Sequence, residues 1–141
     1  MDVNKLLKAL DDDSNENLFN FTTKKILEMN LQVLKELELD KNETLIILKK
    51  LKEYRYVDEM NDLKYGTYLR WIAINNPENI FLTKGAVFCE LNITDNGVFI
   101  VCKNFGYSNK YFQIKMDECL IFQKLTPQEL VLLSALDHLS K

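Results

Sequence analysis

The residues that most often carry catalysis are sparse in this chain. Its one histidine, His138, lies near the end of a predicted C-terminal helix. Nucleophilic catalysis needs a serine or cysteine beside a histidine that a third group orients. Ser134 lies one turn before His138, but the adjacent Asp137 does not face it on a helix. We therefore interpret His138 as a helix-end residue that complements the helix dipole, and we predict no catalytic residue.

Cysteines and carboxylates also lack the spacing of a metal site. Cys89, Cys102 and Cys119 are widely separated and stand among apolar residues, which predicts buried, free thiols in a reducing compartment. Acidic residues cluster at 11–13 and 58–62, but within polar runs where solvation is expected. The four glycines stand singly, so they form no phosphate-binding loop. The chain is therefore predicted to hold neither a metal nor a cofactor.

The composition is that of an ordinary globular protein. The 141 residues are 47% apolar and 28% charged, enough for one domain whose core needs no disulfide. The net charge of -3 gives no whole-surface attraction to nucleic acid or anionic membrane, so any such binding must be local. The N-terminus lacks an apolar signal, and no stretch reaches the roughly 18 apolar residues of a membrane span. We expect a cytoplasmic protein that begins at Met1 and does not enter a membrane.

Basic residues cluster at the end of a predicted helix, where four cations against Glu53 give a local charge of about +3. Such a cluster is either a solvated face or a set of phosphate contacts. The order of three helices and then two strands is similar to a winged helix, with this cluster on the recognition helix. The acidic run that follows at 58–62 argues against that arrangement. The candidate nucleic-acid contacts are Lys49, Lys50, Lys52, Arg55 and Lys64.

Tyrosines, both arginines and the one tryptophan concentrate between 49 and 72, where the apolar period changes from about 3.6 to about 2 residues. These residue types are enriched in binding hot spots. Alternation on a strand puts Tyr68 and Arg70 on one face, so that one face is core and the other exposed. We favour non-enzymatic binding of a protein partner, with nucleic-acid binding as the alternative and the oligomeric state left open. The candidate partner contacts are Tyr54, Arg55, Tyr56, Tyr65, Tyr68 and Arg70.

The same segment leads to expectations about the core and about the two arginines. We expect burial of Trp71, Leu69, Phe88, Val101 and Phe122. Only two of the 18 basic residues are arginines, which indicates that the planar guanidinium is needed. Each arginine either locks the junction between the helical and β halves by a bidentate bond to an acid such as Asp58, Glu59 or Asp62, or is held out for a partner. For Arg70 we favour a bond within the fold, because a half-buried charge needs a partner.

Capping residues and apolar periodicity predict four helices. The predicted helices begin after Asp2, span Thr23–Leu37, begin after Asp40 and open at the Thr126–Glu129 capping box. The wide apolar stripe of the second helix indicates burial. The third helix is expected to place Leu45, Ile47, Leu48, Leu51 and Tyr54 on the core. Pro127 stands at the first position of the last helix, which ends near Leu139.

Five strands are predicted between the third and fourth helices, at 67–74, 86–93, 98–103, 111–116 and 119–124. Asn96-Gly97 predicts a tight hairpin, and 104–109 and 117–118 predict two further turns. The expected fold is α+β: a single domain over 1–141, with a helical half at 1–57, a β half at 66–125 and a C-terminal helix at 126–140. The β half is expected to be a five-stranded antiparallel sheet or a small barrel.

Three stretches carry a resemblance to a known group of proteins: Leu51-x-x-Tyr54-Arg55-Tyr56-Val57, Leu63-Lys64-x-Gly66-x-Tyr68-x-Arg70-Trp71-Ile72 and Phe122-Gln123-Lys124-Leu125-Thr126. Together they make residues 45 to 136 resemble uncharacterised small proteins encoded by large nucleocytoplasmic DNA viruses. The resemblance implies a virus-encoded, non-enzymatic component, located in the host cytoplasm or the virion. It implies no catalytic residue and no particular partner.

Overall fold

The fold is α+β, with four α-helices and a six-stranded antiparallel sheet in the computed structural model. The structure describes residues 3–104 and 110–140. Three helices precede the sheet in the chain and one follows it, as the sequence predicts. The predicted strand count of five was one too low, because Tyr54–Val57 forms an additional strand.

The helices begin where capping residues predict them to begin. Their bounds are α1 Val3–Asp11, α2 Thr23–Lys35, α3 Lys41–Lys50 and α4 Pro127–Leu139. The side chains of Thr22 and Asp40 accept hydrogen bonds from amides in the first turns of α2 and α3. Thr126 and Glu129 form the predicted capping box of α4. The proposed cap of α1, Asp2, lies outside the described residues.

The strands pair in the order β1-β6-β2-β3-β4-β5. Their bounds are β1 Tyr54–Val57, β2 Tyr68–Ala73, β3 Ala86–Thr94, β4 Gly97–Lys103, β5 Tyr111–Lys115 and β6 Cys119–Lys124. Short 3-10 turns occupy Asp13–Leu18, Met60–Asp62 and Met116–Glu118. The hairpin predicted at Asn96-Gly97 is confirmed, since Thr94 pairs with Gly97. The turn predicted at 104–109 falls mostly on residues 105–109, outside the described residues.

The change from α3 to β1 corrects the winged-helix expectation. α3 ends at Lys50, and the chain turns through Glu53, whose φ of 65° lies in the left-handed region. Tyr54 then starts an extended strand. Lys52 and Arg55 therefore do not lie on a helix, and the prediction that they belong to a recognition helix was wrong.

By its internal contacts the chain separates into two compact units. The helical unit takes the residues up to Arg55 together with those from Leu125 onward, and the sheet unit is Tyr56–Lys124. The helical unit contains α1 to α4, and the sheet unit contains β2 to β6. The prediction of one domain over 1–141 stays a prediction.

The main core of the sheet unit lies on the face of β2 that carries Leu69 and Trp71, while Phe122 pairs with Arg70 and lies on the opposite face. Leu69, Phe88 and Phe122 are buried as predicted, and Trp71 is 8% exposed and lies 5.7 Å from the Phe112 ring. Only Val101 differs from the predicted core set, because it is half-buried. Its neighbours Ile100 and Cys102 are fully buried. Side chains alternate along β4, so Val101 points to the opposite face of the sheet.

A buried amide ties the chain before β2 to the sheet. Gln123 is 1% exposed, and its Oε1 accepts a 2.8 Å hydrogen bond from the Lys64 amide. Its Nε2 donates to the Asp62 carbonyl at 3.0 Å, and the Thr67 hydroxyl lies 3.0 Å from Oε1. A buried polar group is tolerated when its hydrogen bonds are made, so this side chain holds the 62–67 turn in place.

The helical unit is built around α4. Ala9 of α1 packs with Leu18 and Leu132 in one buried cluster, and Ile26, Leu125 and Leu133 form another. In the acidic run at 11–13, Asp11 ends α1 and Asp13 opens the 3-10 turn, and both are exposed as expected. Asn15 in that turn is buried, and its Nδ2 donates to the Ala9 carbonyl at 3.0 Å. No helix in the described ranges is long and apolar enough to cross a membrane.

Candidate partner-binding groove

The predicted arginine and tyrosine contacts do not form one surface within either unit. Tyr54 and Arg55 belong to the helical unit. The remaining four candidate residues belong to the sheet unit: Tyr56, Tyr65, Tyr68 and Arg70. Each unit therefore carries only part of the predicted contact set.

Arg55 is buried, which contradicts its placement as a contact for protein or nucleic acid. It is 3% exposed and alternates on β1 with the half-buried tyrosines on either side. Its Nε and Nη2 atoms have no hydrogen-bond partner among the residues that the structure describes. A side chain this deep does not meet a partner on the folded surface. The prediction of Arg55 as a contact residue was wrong, because it assumed that every cation of the basic cluster is exposed.

Arg70 is half-buried and bonds within the fold to a backbone carbonyl, whereas the predicted bidentate bond to an acid stays a prediction. Its Nε donates to the Thr83 carbonyl at 2.9 Å. Thr83 also accepts from the Trp71 amide through Oγ1 at 3.1 Å and donates its own amide to the Trp71 carbonyl at 3.0 Å. The predicted alternation on β2 is confirmed, since Leu69 and Trp71 are buried while Tyr68 is exposed and Arg70 half-buried. The Arg70 guanidinium therefore holds the chain at Thr83 against β2.

The tyrosines of the sheet unit differ in exposure. Tyr65 is 68% exposed although its ring stacks on Phe88 at 4.9 Å between centroids. Tyr68 is 37% exposed. Tyr56 is half-buried, with its ring 5.8 Å from that of Phe122. Two exposed rings are less than the broad arginine and tyrosine surface that the sequence suggested.

The candidate phosphate contacts are also divided between the units. Lys49, Lys50 and Lys52 are exposed and belong to the helical unit. Lys64 is half-buried and belongs to the sheet unit, where its amide bonds to Gln123. Among the candidate phosphate contacts, the exposed ones are thus the three lysines near the end of α3.

A large apolar groove opens between α2, α3 and α4 in the helical unit, with a cavity volume of about 750 Å³. Its floor consists of buried residues: Ile26, Leu51, Leu125 and Leu133. Its apolar walls include Leu48, Leu130 and two strongly exposed leucines, Leu27 at 51% and Leu45 at 42%. The polar lining residues are Thr23, Asn30, Lys49, Lys52, Glu53, Tyr54, Ser134 and Asp137. The volume lies within the range of about 300–1,000 Å³ typical of ligand sites.

Hydrogen bonds hold both ends of this groove. At one end the Asp137 carboxylate accepts from the Thr23 amide at 2.8 Å and from the Thr23 hydroxyl at 2.6 Å. At the other end Asn30, 2% exposed, donates from Nδ2 to the Tyr54 carbonyl at 3.0 Å. Thr23 and Asn30 are seven residues apart on α2, so the groove is about 10 Å long.

The sequence did not predict this groove, although it contained one indication. We expected burial of Leu45 and of the apolar stripe of α2, to which Leu27 belongs, but both leucines are exposed on the groove walls. Leu45 opens a run of four consecutive apolar residues that ends at Leu48. One helix face cannot bury four neighbours in sequence, because successive residues point in different directions. Such a run therefore indicates a second apolar surface.

The sheet unit has a smaller cavity of about 460 Å³. Cys119 lines it, and burial followed by the charges of Glu118 and Asp117 raises the pKa of this thiol to about 11. Burial, with a smaller effect of Cys89, raises the pKa of Cys102 to about 12. Both thiols are therefore protonated at neutral pH and are poor nucleophiles. All three cysteines are unpaired, and within 3–104 and 110–140 no three histidine, cysteine or acidic side chains could together hold a metal ion.

The chain matches no known protein-family model, and comparisons with curated proteins and with solved structures find no match either.

Proposed function

We propose that this protein is a non-enzymatic binding protein whose helical unit receives an apolar segment of a protein partner in the groove between α2, α3 and α4. The observation that carries the proposal is the exposure of Leu27 and Leu45 on the walls of a groove of about 750 Å³. Contiguous apolar surface of this kind marks interaction sites on soluble proteins. A bound segment would remove both leucines from water.

The polar residues of the groove support binding rather than catalysis. Asp137 is engaged by Thr23 and Asn30 by the Tyr54 carbonyl, so these groups hold the walls together. The charged residues that remain, such as Lys49 and Glu53, are exposed at the rim. A reaction centre instead needs polar groups that converge on one point inside the cavity.

Of the partner contacts predicted from the sequence, Tyr54 lines the groove. Tyr65 and Tyr68 remain candidates for a separate contact on the sheet unit. We further propose a virus-encoded protein of the host cytoplasm or the virion. The resemblance of residues 45 to 136 to viral proteins supports the origin, and the three unpaired cysteines are consistent with a reducing compartment.

The test compares two neighbouring leucine and isoleucine positions. Leu45 lines the groove, whereas Ile46 is 54% exposed and lies outside the lining. Peptides of about 16 residues, or roughly four helical turns, are selected for binding to the wild-type protein from a displayed library. Their affinities are then measured by fluorescence anisotropy for wild type, Leu45→Glu and Ile46→Glu. We expect Leu45→Glu to weaken binding at least tenfold, or about 1.4 kcal/mol, and Ile46→Glu to leave it unchanged.

Two results would overturn the proposal. The first is a library that yields no binder, or binders that tolerate Leu45→Glu as well as Ile46→Glu. The second is specific binding of duplex DNA or RNA that falls steeply with salt and is lost on replacing Lys49 and Lys52 by glutamate. That result would favour the nucleic-acid alternative, in which Lys49, Lys50 and Lys52 contact phosphates.

A further inference from the structure

We infer that the segment bound in the groove is a short acidic amphipathic helix, with its apolar face on Leu27 and Leu45 and its carboxylates beside Lys49 and Lys52. This inference rests on the proposed function and adds the conformation and charge of the partner. Three observations carry it: the length of the groove, the hydrogen-bonded state of its backbone groups and the charges on its rim.

The length of the groove fits two turns of a helix. Thr23 and Asn30 mark its ends on α2, about 10 Å apart. In a partner helix, apolar residues at i, i+3 or i+4 and i+7 span the same distance along one face. Three side chains of such a helix would therefore cover the floor from the Asp137 end to the Tyr54 end.

An extended partner strand is a poor occupant, because the groove offers it few backbone partners. Near the groove, the Tyr54 carbonyl already accepts from Asn30 and the Glu53 carbonyl already accepts from the Leu125 amide at 2.8 Å. The walls are otherwise side chains of three helices. A strand buried there would leave amides and carbonyls unpaired, whereas a helix satisfies its own.

The rim charges favour an acidic partner. Lys49 and Lys52 are exposed and have no hydrogen-bond or ion-pair partner among the residues that the structure describes. Of the two acidic lining residues, Asp137 keeps its charge while it accepts from Thr23, but it lies at the far end of the groove from Tyr54. Beside Tyr54, Glu53 therefore stands alone against the two lysines. Complementary charges at an interface raise the rate of association and select partners. Carboxylates flanking the apolar face would therefore be preferred over ammonium groups.

A second copy of this chain fits the groove less well. Its exposed apolar stripe on α1, formed by Val3, Leu7 and Leu10, has the spacing of a helical ligand. The described residues of this short helix carry Lys5 and Lys8 against Asp11, so the helix would bring net positive charge to a rim that already holds two lysines. Like charges brought together at an interface oppose binding.

The experiment uses the peptides selected in the previous test. Each apolar face is kept, and the flanking positions are made all glutamate in one version and all lysine in the other. Binding to wild type is compared with Lys49→Glu/Lys52→Glu and with a control, Lys24→Glu/Lys35→Glu. The control changes the net charge equally at exposed α2 positions outside the groove lining. We expect the glutamate version to bind wild type about tenfold more tightly, a preference that the groove variant loses and the control keeps.

The outcomes separate the two proposals. Equal affinity of both peptide versions, with binding still lost in Leu45→Glu, would overturn the acidic helix and leave the groove as a protein-binding site. Peptides that bind without gaining helical circular dichroism would also overturn it. Dodecanoate, a small anionic amphiphile, is tested as a competitor. If it displaces the bound peptides at a lower concentration than the glutamate peptide does, the ligand of the groove is a small amphiphile and not a helix. Failure of every selected peptide to depend on Leu45 would remove the proposed function itself.

Discussion

The guanidinium Nε of Arg70 donates a 2.9 Å hydrogen bond to the backbone carbonyl of Thr83. Thr83 completes the connection by exchanging two further hydrogen bonds with Trp71, the next residue on β2. A lysine at position 70 would supply the same charge, but not a planar guanidinium donor directed at one carbonyl. The use of arginine and not lysine at position 70 therefore has a structural reason.

Removing the Arg70 side chain is expected to destabilise the fold. Arg70→Ala loses a hydrogen bond from a charged donor, so the free energy of unfolding should fall by about 1.5–3 kcal/mol. Arg70→Lys should fall between wild type and alanine. Lys84→Ala, at an exposed neighbouring position, is the control and should change stability by less than about 0.5 kcal/mol. Urea unfolding measures all four proteins, and equal midpoints for Arg70→Ala and Lys84→Ala would contradict the structural role.

Trp71 is expected to be a major contributor to the sheet core. It is 8% exposed, so Trp71→Ala should cost about 3–5 kcal/mol through lost burial and a residual cavity. That cost is a large part of the roughly 5–15 kcal/mol that stabilises a typical domain. Ile93→Ala, at a position 64% exposed, should change stability by less than about 0.5 kcal/mol. Equal melting temperatures for Trp71→Ala and Ile93→Ala would refute the assignment of Trp71 to the core.

Two glycines with positive φ should respond differently to the same substitution. At Gly85, φ is +92° and an added Cβ would collide with the Leu69 carbonyl oxygen and approach the Tyr68 ring within 2.8 Å. At Gly66, φ is +84° but nothing lies within 4 Å of an added Cβ. Gly66→Ala should therefore cost only the conformational strain of about 1–2 kcal/mol. Gly85→Ala should cost a further 1–3 kcal/mol, roughly, from the clash, and similar denaturation midpoints would argue against this packing.

Arg55 leads to a less intuitive prediction. Its Nε and Nη2 are buried without hydrogen-bond partners among the described residues, which makes the charge expensive to bury. Arg55→Met keeps a long side chain and removes the charge, so stability should stay equal or rise by about 1–4 kcal/mol. Arg55→Ala should instead destabilise, because it leaves a cavity. A methionine variant that unfolds as readily as the alanine variant would show that the guanidinium is paired in solution.

The Cys102 thiol should make stability fall at alkaline pH. Its pKa is raised to about 12 in the folded protein, mainly by burial, against about 8.5 in an unfolded chain. The neutral, buried thiol therefore makes its full contribution to the free energy of unfolding below about pH 8.5. This contribution is lost progressively as the pH rises towards 12. Between pH 8 and 10, stability should fall about 2 kcal/mol less in Cys102→Ala than in wild type. Val101→Ala, a non-titrating neighbour, should keep the wild-type pH dependence, and matching slopes for all three proteins would contradict the raised pKa.

Most of the secondary structure followed from signals that act within a few residues. Thr22, Asp40 and the Thr126–Glu129 capping box mark helix starts because their side chains bond to amides only three positions away. Asn96-Gly97 marks a hairpin because a tight turn needs positive φ. These interactions do not depend on the rest of the fold.

β1 was missed because its signal is not local. A helix commonly ends with glycine in the left-handed region, but here Glu53 takes that conformation with φ of 65°. The residues after it continue an apolar and basic pattern that also suits a helix. What makes 54–57 a strand is pairing with β6, more than sixty residues later in the chain.

The sequence by itself determined the fold class, the helix starts, the main hairpin and four of the five predicted core residues of the sheet, because periodicity and capping depend on near neighbours. Only the tertiary structure decided that Arg55 is buried while Leu27 and Leu45 are exposed. Exposure depends on which distant elements come together, and here α4 returns to α2 more than one hundred residues later through Thr23 and Asp137. The candidate groove exists only after that return, so no local pattern contains it.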